Sequence, residues 1–245
     1  MSAPRAAGGP EAQPRALLPD LVARTPWNVA VKKAGDDHRL VFASAAVNVG
    51  TGPLEIVAER PNETVRSMRA DQVVRLGNGS TRRHEGIGEL LYVVSDDHQH
   101  WHLLGFMRYE LRRASGGGAV LRDRKTGFCL GDRFAARRRL RGKPRKAVFR
   151  GFCGLRKTEA LRVREGISVG YGDDYRAELE GQYLDLTGLP AGRYRLVHTI
   201  DEDGLLRERT RANNVAWLLL RLSWQDGRPS IRLGAGCGAS ARCRI

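Results

Sequence analysis

The feature that most constrains this chain is the run from Ser95 to Leu111, Ser-Asp-Asp-His-Gln-His-Trp-His-Leu-Leu-Gly-Phe-Met-Arg-Tyr-Glu-Leu. Half of the six histidines, His98, His100 and His102, alternate within five residues of it. Side chains at i, i+2 and i+4 of a β-strand share one face. Three neutral imidazoles on one face form a metal site that leaves positions open for water, O2 or a substrate. At about 3.3 Å per residue, His98 and His102 would lie roughly 13 Å apart at Cα on an ideal strand. That span predicts a bend, twist or bulge here. A partly buried polar stripe is the simpler alternative. The apolar runs on either side, Leu90-Leu-Tyr-Val-Val and Leu103-Leu-Gly-Phe-Met, favour the metal site.

Strand signals recur around this run. Leu40 to Gly50, Thr51 to Glu59, Thr64 to Arg69, Gln72 to Leu76, Leu90 to Val94, Phe106 to Arg112 and Asn214 to Trp224 are punctuated by Gly, Asn-Gly and Asp-Gly. Only Glu159 to Glu165 has the makings of a short helix. The expectation is a mainly β chain, a β-sandwich with long irregular loops and little helix. The apolar fraction of 41% supports one large core. Residues 1–16, rich in Pro, Gly, Ala and Arg, read as a disordered tail, and 17–245 as a single domain. No apolar run is long enough for a membrane span, and no signal-peptide core is visible. Cys129, Cys153, Cys237 and Cys243 allow three pairings. The local one, Cys129–Cys153 with Cys237–Cys243, closes short loops and suits an oxidising compartment. The expected location is secreted or cell-surface, with the cytoplasm left open by the missing signal. A net charge of +15 draws polyanions non-specifically. Its densest run, Arg133 to Lys146, lacks interleaved aromatics and any DNA-reading motif, so it reads as a solvated loop with no specific nucleic-acid partner.

Several stretches, taken in order, resemble the catalytic domain of the lysyl oxidases. Leu18-Pro-Asp-Leu-Val looks like the family's domain entry. His98-Gln-His-Trp-His is similar to its copper motif, with Trp101 where the family has Tyr. Arg124-Lys-Thr-Gly-Phe-Cys-Leu-Gly-Asp resembles the segment that holds the cofactor lysine. Asp174-Tyr-Arg-Ala-Glu-Leu-Glu-Gly-Gln-Tyr-Leu-Asp-Leu-Thr resembles the segment that holds the cofactor tyrosine. Pro190-Ala-Gly-Arg-Tyr and Asn213-Asn-Val are similar to the final strands.

The resemblance implies a copper-dependent amine oxidase, of a bacterial type, acting on primary amines or peptidyl lysine with O2. His98, His100 and His102 would bind copper. Lys125 and Tyr175 would be the precursors of lysine tyrosylquinone, a carbonyl electrophile fixed to the chain. Tyr171 competes with Tyr175 for the role, and the register of Gln182-Tyr-Leu-Asp-Leu-Thr favours Tyr175. A base must remove the substrate α-proton, and Asp173 and Asp174, next to Tyr175, are the candidates. Turn capping is their plainer role. The chain departs from the family at Arg108, which stands where animal members carry a further histidine, and in its shorter set of cysteines. The competing classes are a non-catalytic metal-binding β-sandwich module of the cell exterior and an adhesion domain. The histidines count against the second of these, and Lys125 with Tyr175 against the first.

Overall fold

The structure is a computed structural model, and it describes residues 13–95, 99–125, 127–238 and 243. Every regular element among them is a β-strand, and every strand pairing is antiparallel. The mainly β expectation therefore holds. The strands form three sheets. The first runs Gly127–Phe128, Gln99–Leu104, Thr81–Val94, Ser67–Leu76, Leu54–Glu59, Arg162–Ile167, with Ala16–Leu17 also on Ser67–Leu76. The second runs Ala119–Arg122, Met107–Arg113, Gly192–Ile200, Val215–Gln225, Arg228–Cys237. The third runs Phe134–Ala135, Tyr171–Tyr175, Asp37–Asn48, Tyr183–Asp185, with Leu21–Ala23 and Trp27–Ala34 also on Asp37–Asn48.

Local sequence explains these elements. In Val215–Gln225, Ala216, Leu218, Leu220 and Leu222 are buried, while Trp217, Leu219, Arg221 and Ser223 face the other way. Such alternation makes a sheet with one wet face. Asp226 and Gly227 both have positive φ, 50° and 71°, and join this strand to Arg228–Cys237 in a two-residue turn. By contrast, Asp37–Asn48 is buried from Leu40 to Asn48. It is paired with strands along both edges, and nearly every buried position is apolar or small.

Two local expectations change. The candidate helix over 159–165 is a turn followed by the strand Arg162–Ile167, because Val163, Glu165 and Ile167 alternate inward and pair with Leu54–Glu59. Of the candidate strand Thr64–Arg69 only Ser67 to Arg69 is strand, and it runs on through Gln72–Leu76 as one element, Ser67–Leu76, with a register shift at Asp71. Asp71 Oδ1 accepts the Gly86 backbone N–H there, 2.9 Å away.

The sheets meet at buried aromatic rings. Phe128, from the first sheet, lies 5.1 Å from Tyr175 in the third and 6.3 Å from Tyr109 in the second. A fully buried Asn48 ties the backbone beside them. Its Oδ1 accepts the N–H groups of Asp20 and Gly50, and its Nδ2 donates to the carbonyls of Gly52 and Ile167. Each orphaned buried group costs about 1–3 kcal/mol. Asn48→Ala is therefore expected to lower unfolding stability by about 3–5 kcal/mol, read as a reduced urea midpoint at unchanged m-value. A loss under about 1 kcal/mol would show that water replaces the amide without cost.

Candidate metal and cofactor centre

His100 and His102 share a face of Gln99–Leu104, and their Nε2 atoms lie 2.8 Å apart. His102 is buried and His100 half-buried. The strand pairs regularly with Leu90–Val94, and no register shift interrupts it. His98 lies outside the described residues. Two imidazoles with nitrogens this close could share an ion about 2 Å from each, the length of a metal–imidazole bond. Imidazole donors suit copper, zinc, iron and nickel, so the residues fit an ion of that kind. Trp101 points the opposite way. Its Nε1 donates to the Lys157 carbonyl at 3.0 Å, and the Arg60 guanidinium stacks 4.8 Å from its ring. Packing on the far side of the sheet thus fixes the histidine face.

Gly127 crosses directly over His102. A Cβ built there would sit 2.6 Å from the His102 Cβ, so only glycine lets the two backbones approach this closely. Two residues earlier, Lys125 is buried, and its Nζ donates to the Glu180 carbonyl at 3.2 Å. Nζ lies 5.5 Å from the Phe128 ring centroid and 5.7 Å from that of Tyr175. Desolvation holds the ammonium pKa below its ordinary value, opposed by the charges of Asp123 and Glu180. An unprotonated amine is correspondingly easier to reach.

Tyr175 is also buried. Its hydroxyl is 2.8 Å from Asp173 Oδ2 and 3.1 Å from the Cys129 carbonyl. Burial, then the Asp173 charge, pushes the phenol pKa well above its usual value. Asp173 sits two residues back on the same strand face, 1% exposed on its side chain, with Arg133 Nε 3.5 Å from Oδ1 and the Gly131 N–H 3.2 Å from Oδ2. Burial raises its carboxyl to about 7. Asp174 faces the other way and lines a separate cleft with Arg24, Trp27, Ala45 and Phe134. The strand alternation separates the two neighbours. Tyr171 has Lys143 Nζ 4.2 Å from its ring, and Lys125 is the cation over Tyr175.

Cys129 and Cys153 are bonded to each other, as are Cys237 and Cys243. The first bridge connects both halves of the centre. The Cys153 carbonyl accepts the Trp101 N–H at 2.9 Å, on the histidine strand, while the Cys129 carbonyl accepts from Tyr175. Glu165 approaches the same sulphurs, but disulfide sulphurs offer no thiolate to a metal. Arg133, Glu165, Asp123 and Gly127 escaped sequence reasoning. Asp123 alone carried a local signal, two residues before Lys125. The others are distant in sequence from what they touch.

The Asp173 carboxyl binds its proton more tightly in the folded chain than in the unfolded one. Its stabilising contribution is full at acid pH and is lost as the pH rises through about 7. Glu208 and Asp123, raised to about 7 and about 6 by burial, act in the same direction. His198, lowered by burial to about 4, works oppositely on the acid side. Melting temperatures from pH 4.5 to 8 should therefore fall more steeply for the native chain than for Asp173→Asn. Parallel curves would remove Asp173 as a titrating group.

Beside Lys125 opens a cleft of about 350 Å³ lined by Arg108, Arg122 and Asp123. Arg108 is paired with Glu202 at 2.6 Å. Comparison with known proteins gives this geometry a context. The lysyl oxidase family model matches residues 59–228. Lysyl oxidase homolog 1 of Homo sapiens is 28% identical over 119 residues, 48% of this chain and 18% of that protein. Protein-lysine 6-oxidase of Gallus gallus is 27% identical over 119 residues, 25% of its length, and that of Sus scrofa 29% over 42% of its length. The match thus spans less than half of each of these relatives. The family model covers the histidine strand, the Lys125 segment and the Tyr175 strand together, and on that match the chain belongs to the lysyl oxidase family.

Proposed function

We propose that this chain is a copper-dependent amine oxidase that forms lysine tyrosylquinone from Lys125 and Tyr175. It would convert primary amines, peptidyl lysine among them, to aldehydes, with O2 consumed and ammonia and H2O2 released. The observation that carries the proposal is the 5.7 Å approach of Lys125 Nζ to the buried Tyr175 ring. Family membership supports the same reading. His100, His102 and His98, the last outside the described residues, would hold the copper. The quinone would supply a carbonyl electrophile for amine chemistry, and copper the redox partner for O2 during its formation.

The chain's own residues have distinct tasks in this reading. Asp173 Oδ2, 2.8 Å from the Tyr175 hydroxyl, would take its phenolic proton. A carboxyl near 7 is partly ionised at neutral pH and so can accept a proton, as a base must. Arg133, with Nε 3.5 Å from Oδ1, steadies the Asp173 carboxylate before that transfer. Burial of Lys125 keeps its amine reactive, and the Glu180 carbonyl aims it. The cleft beside Lys125 admits a side chain rather than a folded surface, and the Asp123 carboxylate, set there with Arg108 and Arg122, is its anionic group for an incoming ammonium. The two disulfides fit a secreted or cell-surface setting. No helix among the described residues is long and apolar enough to cross a membrane.

Arg108 in place of a histidine favours one second reading, a metal-binding module that never builds the quinone. One experiment separates the two. Copper-loaded, aerated protein should stain for quinone, and its tryptic digest should contain a peptide joining Lys125 to Tyr175. Peroxide release on a panel of primary amines should vanish in Lys125→Arg. Unmodified Lys125 and Tyr175 after copper loading would leave the module reading.

A further inference from the structure

The basic charge of this chain is not spread evenly. In the second sheet, Arg193 lies directly opposite Arg221, and Arg221 directly opposite Arg232. All three are exposed and stand on the face away from Tyr194, Leu220 and Ile231. One pair along, Arg195 lies opposite Arg112. Opposed residues of neighbouring strands have Cβ atoms about 4.5–5.5 Å apart, and like charges there destabilise a sheet. The repulsion is not relieved from within. Glu110 answers Arg112 and Arg122, but no described residue forms an ion pair with Arg193, Arg195, Arg221 or Arg232.

The same face holds an open cleft of about 470 Å³, walled by Arg193, Arg195, Trp217 and Leu219. Arg195 stacks over Trp217, 5.3 Å from its ring centre. Arg195 Nε and Trp217 Nε1 are both buried N–H donors without an acceptor. An uncompensated row of guanidinium groups is what an acceptor-rich anion would complete.

We propose that this sheet face is a docking surface for a linear anionic polysaccharide, whose successive carboxylate or sulfate groups bridge the Arg193–Arg221–Arg232 row. A repeating anion matches a row of cations set at strand spacing. The only aromatic ring in the cleft is covered by Arg195, so stacked bases have no platform and single-stranded nucleic acid is the poorer fit. The denser basic run of 133–146 lies on a different part of the chain and is not required.

The test compares two triple variants of equal charge in the full chain. Arg193→Gln/Arg221→Gln/Arg232→Gln removes the row, and Arg137→Gln/Arg138→Gln/Arg139→Gln neutralises part of the basic run. Fluorescent heparin and polygalacturonate serve as sulfate and carboxylate probes, with single-stranded DNA and inorganic sulfate as comparisons. The row variant should bind at least one polysaccharide about tenfold or more weakly, with a shallower salt dependence, and the loop variant within about twofold of the native chain. The probe that binds identifies the anionic group. The row variant should also melt higher, since cross-strand repulsion is removed. If it does not fold, Arg221→Gln alone, at the centre of the row, should weaken binding about threefold. Equal losses in both triples, no binding of either polysaccharide, tighter binding of DNA, or full competition by inorganic sulfate at matched charge would each overturn the proposal.

Discussion

The structure depends on the burial of Phe128. Its ring touches Phe106 and Tyr109 from the second sheet's side and meets Tyr175 edge-on from the third. Its own backbone pairs with Leu103 in the first. One apolar side chain therefore fixes three sheets relative to one another, through edge-to-face contacts favoured by the quadrupoles of the rings. Because Phe128 follows Lys125 by only three residues, seating the ring also draws the lysine inside. The Cys129–Cys153 bridge then clamps the next residue. Position of the lysine, tyrosine and histidine strands is thus a consequence of core packing, and not of contacts among the polar groups themselves.

Charge is handled in opposite ways inside and outside. Inside, Glu165, Asp173 and Tyr175 are crowded together around one guanidinium, Arg133, and burial moves all three toward their protonated forms. Too few cations are buried to hold so many anions, so protons take their place. Outside, arginines outnumber the acids that could answer them. Some are balanced in networks, as Arg75 and Arg164 are on Glu55, whose carboxyl they hold below its usual range despite burial. Others line up across strands without relief. Cross-strand register makes this second group distinct from an ordinary basic surface.

Legibility followed sequence range. The alternation at 99–104 and 215–225 gave both strand type and the inward face, because a period of two is a local property. The Asp226-Gly227 turn was equally local. The short strands around Asp71 and the segment 159–165 were not, since a bulge and a pairing partner far along the chain decide them. The Asp173 and Asp174 pair looked equivalent until the strand placed them on opposite faces.

What the sequence determined by itself is the β character, the histidine face and the presence of a lysine and a tyrosine in segments of the right kind. The first two rest on periodicity, which is written in neighbouring residues, and the lysine and tyrosine segments rest on resemblance to the family. Only the tertiary structure decided that Lys125 Nζ lies beside the Tyr175 ring, that Asp173 rather than Asp174 accompanies it, and that three arginines stand in one row. Those facts arise from which strands pair and in what register, and long-range pairing is set by the burial of the whole core.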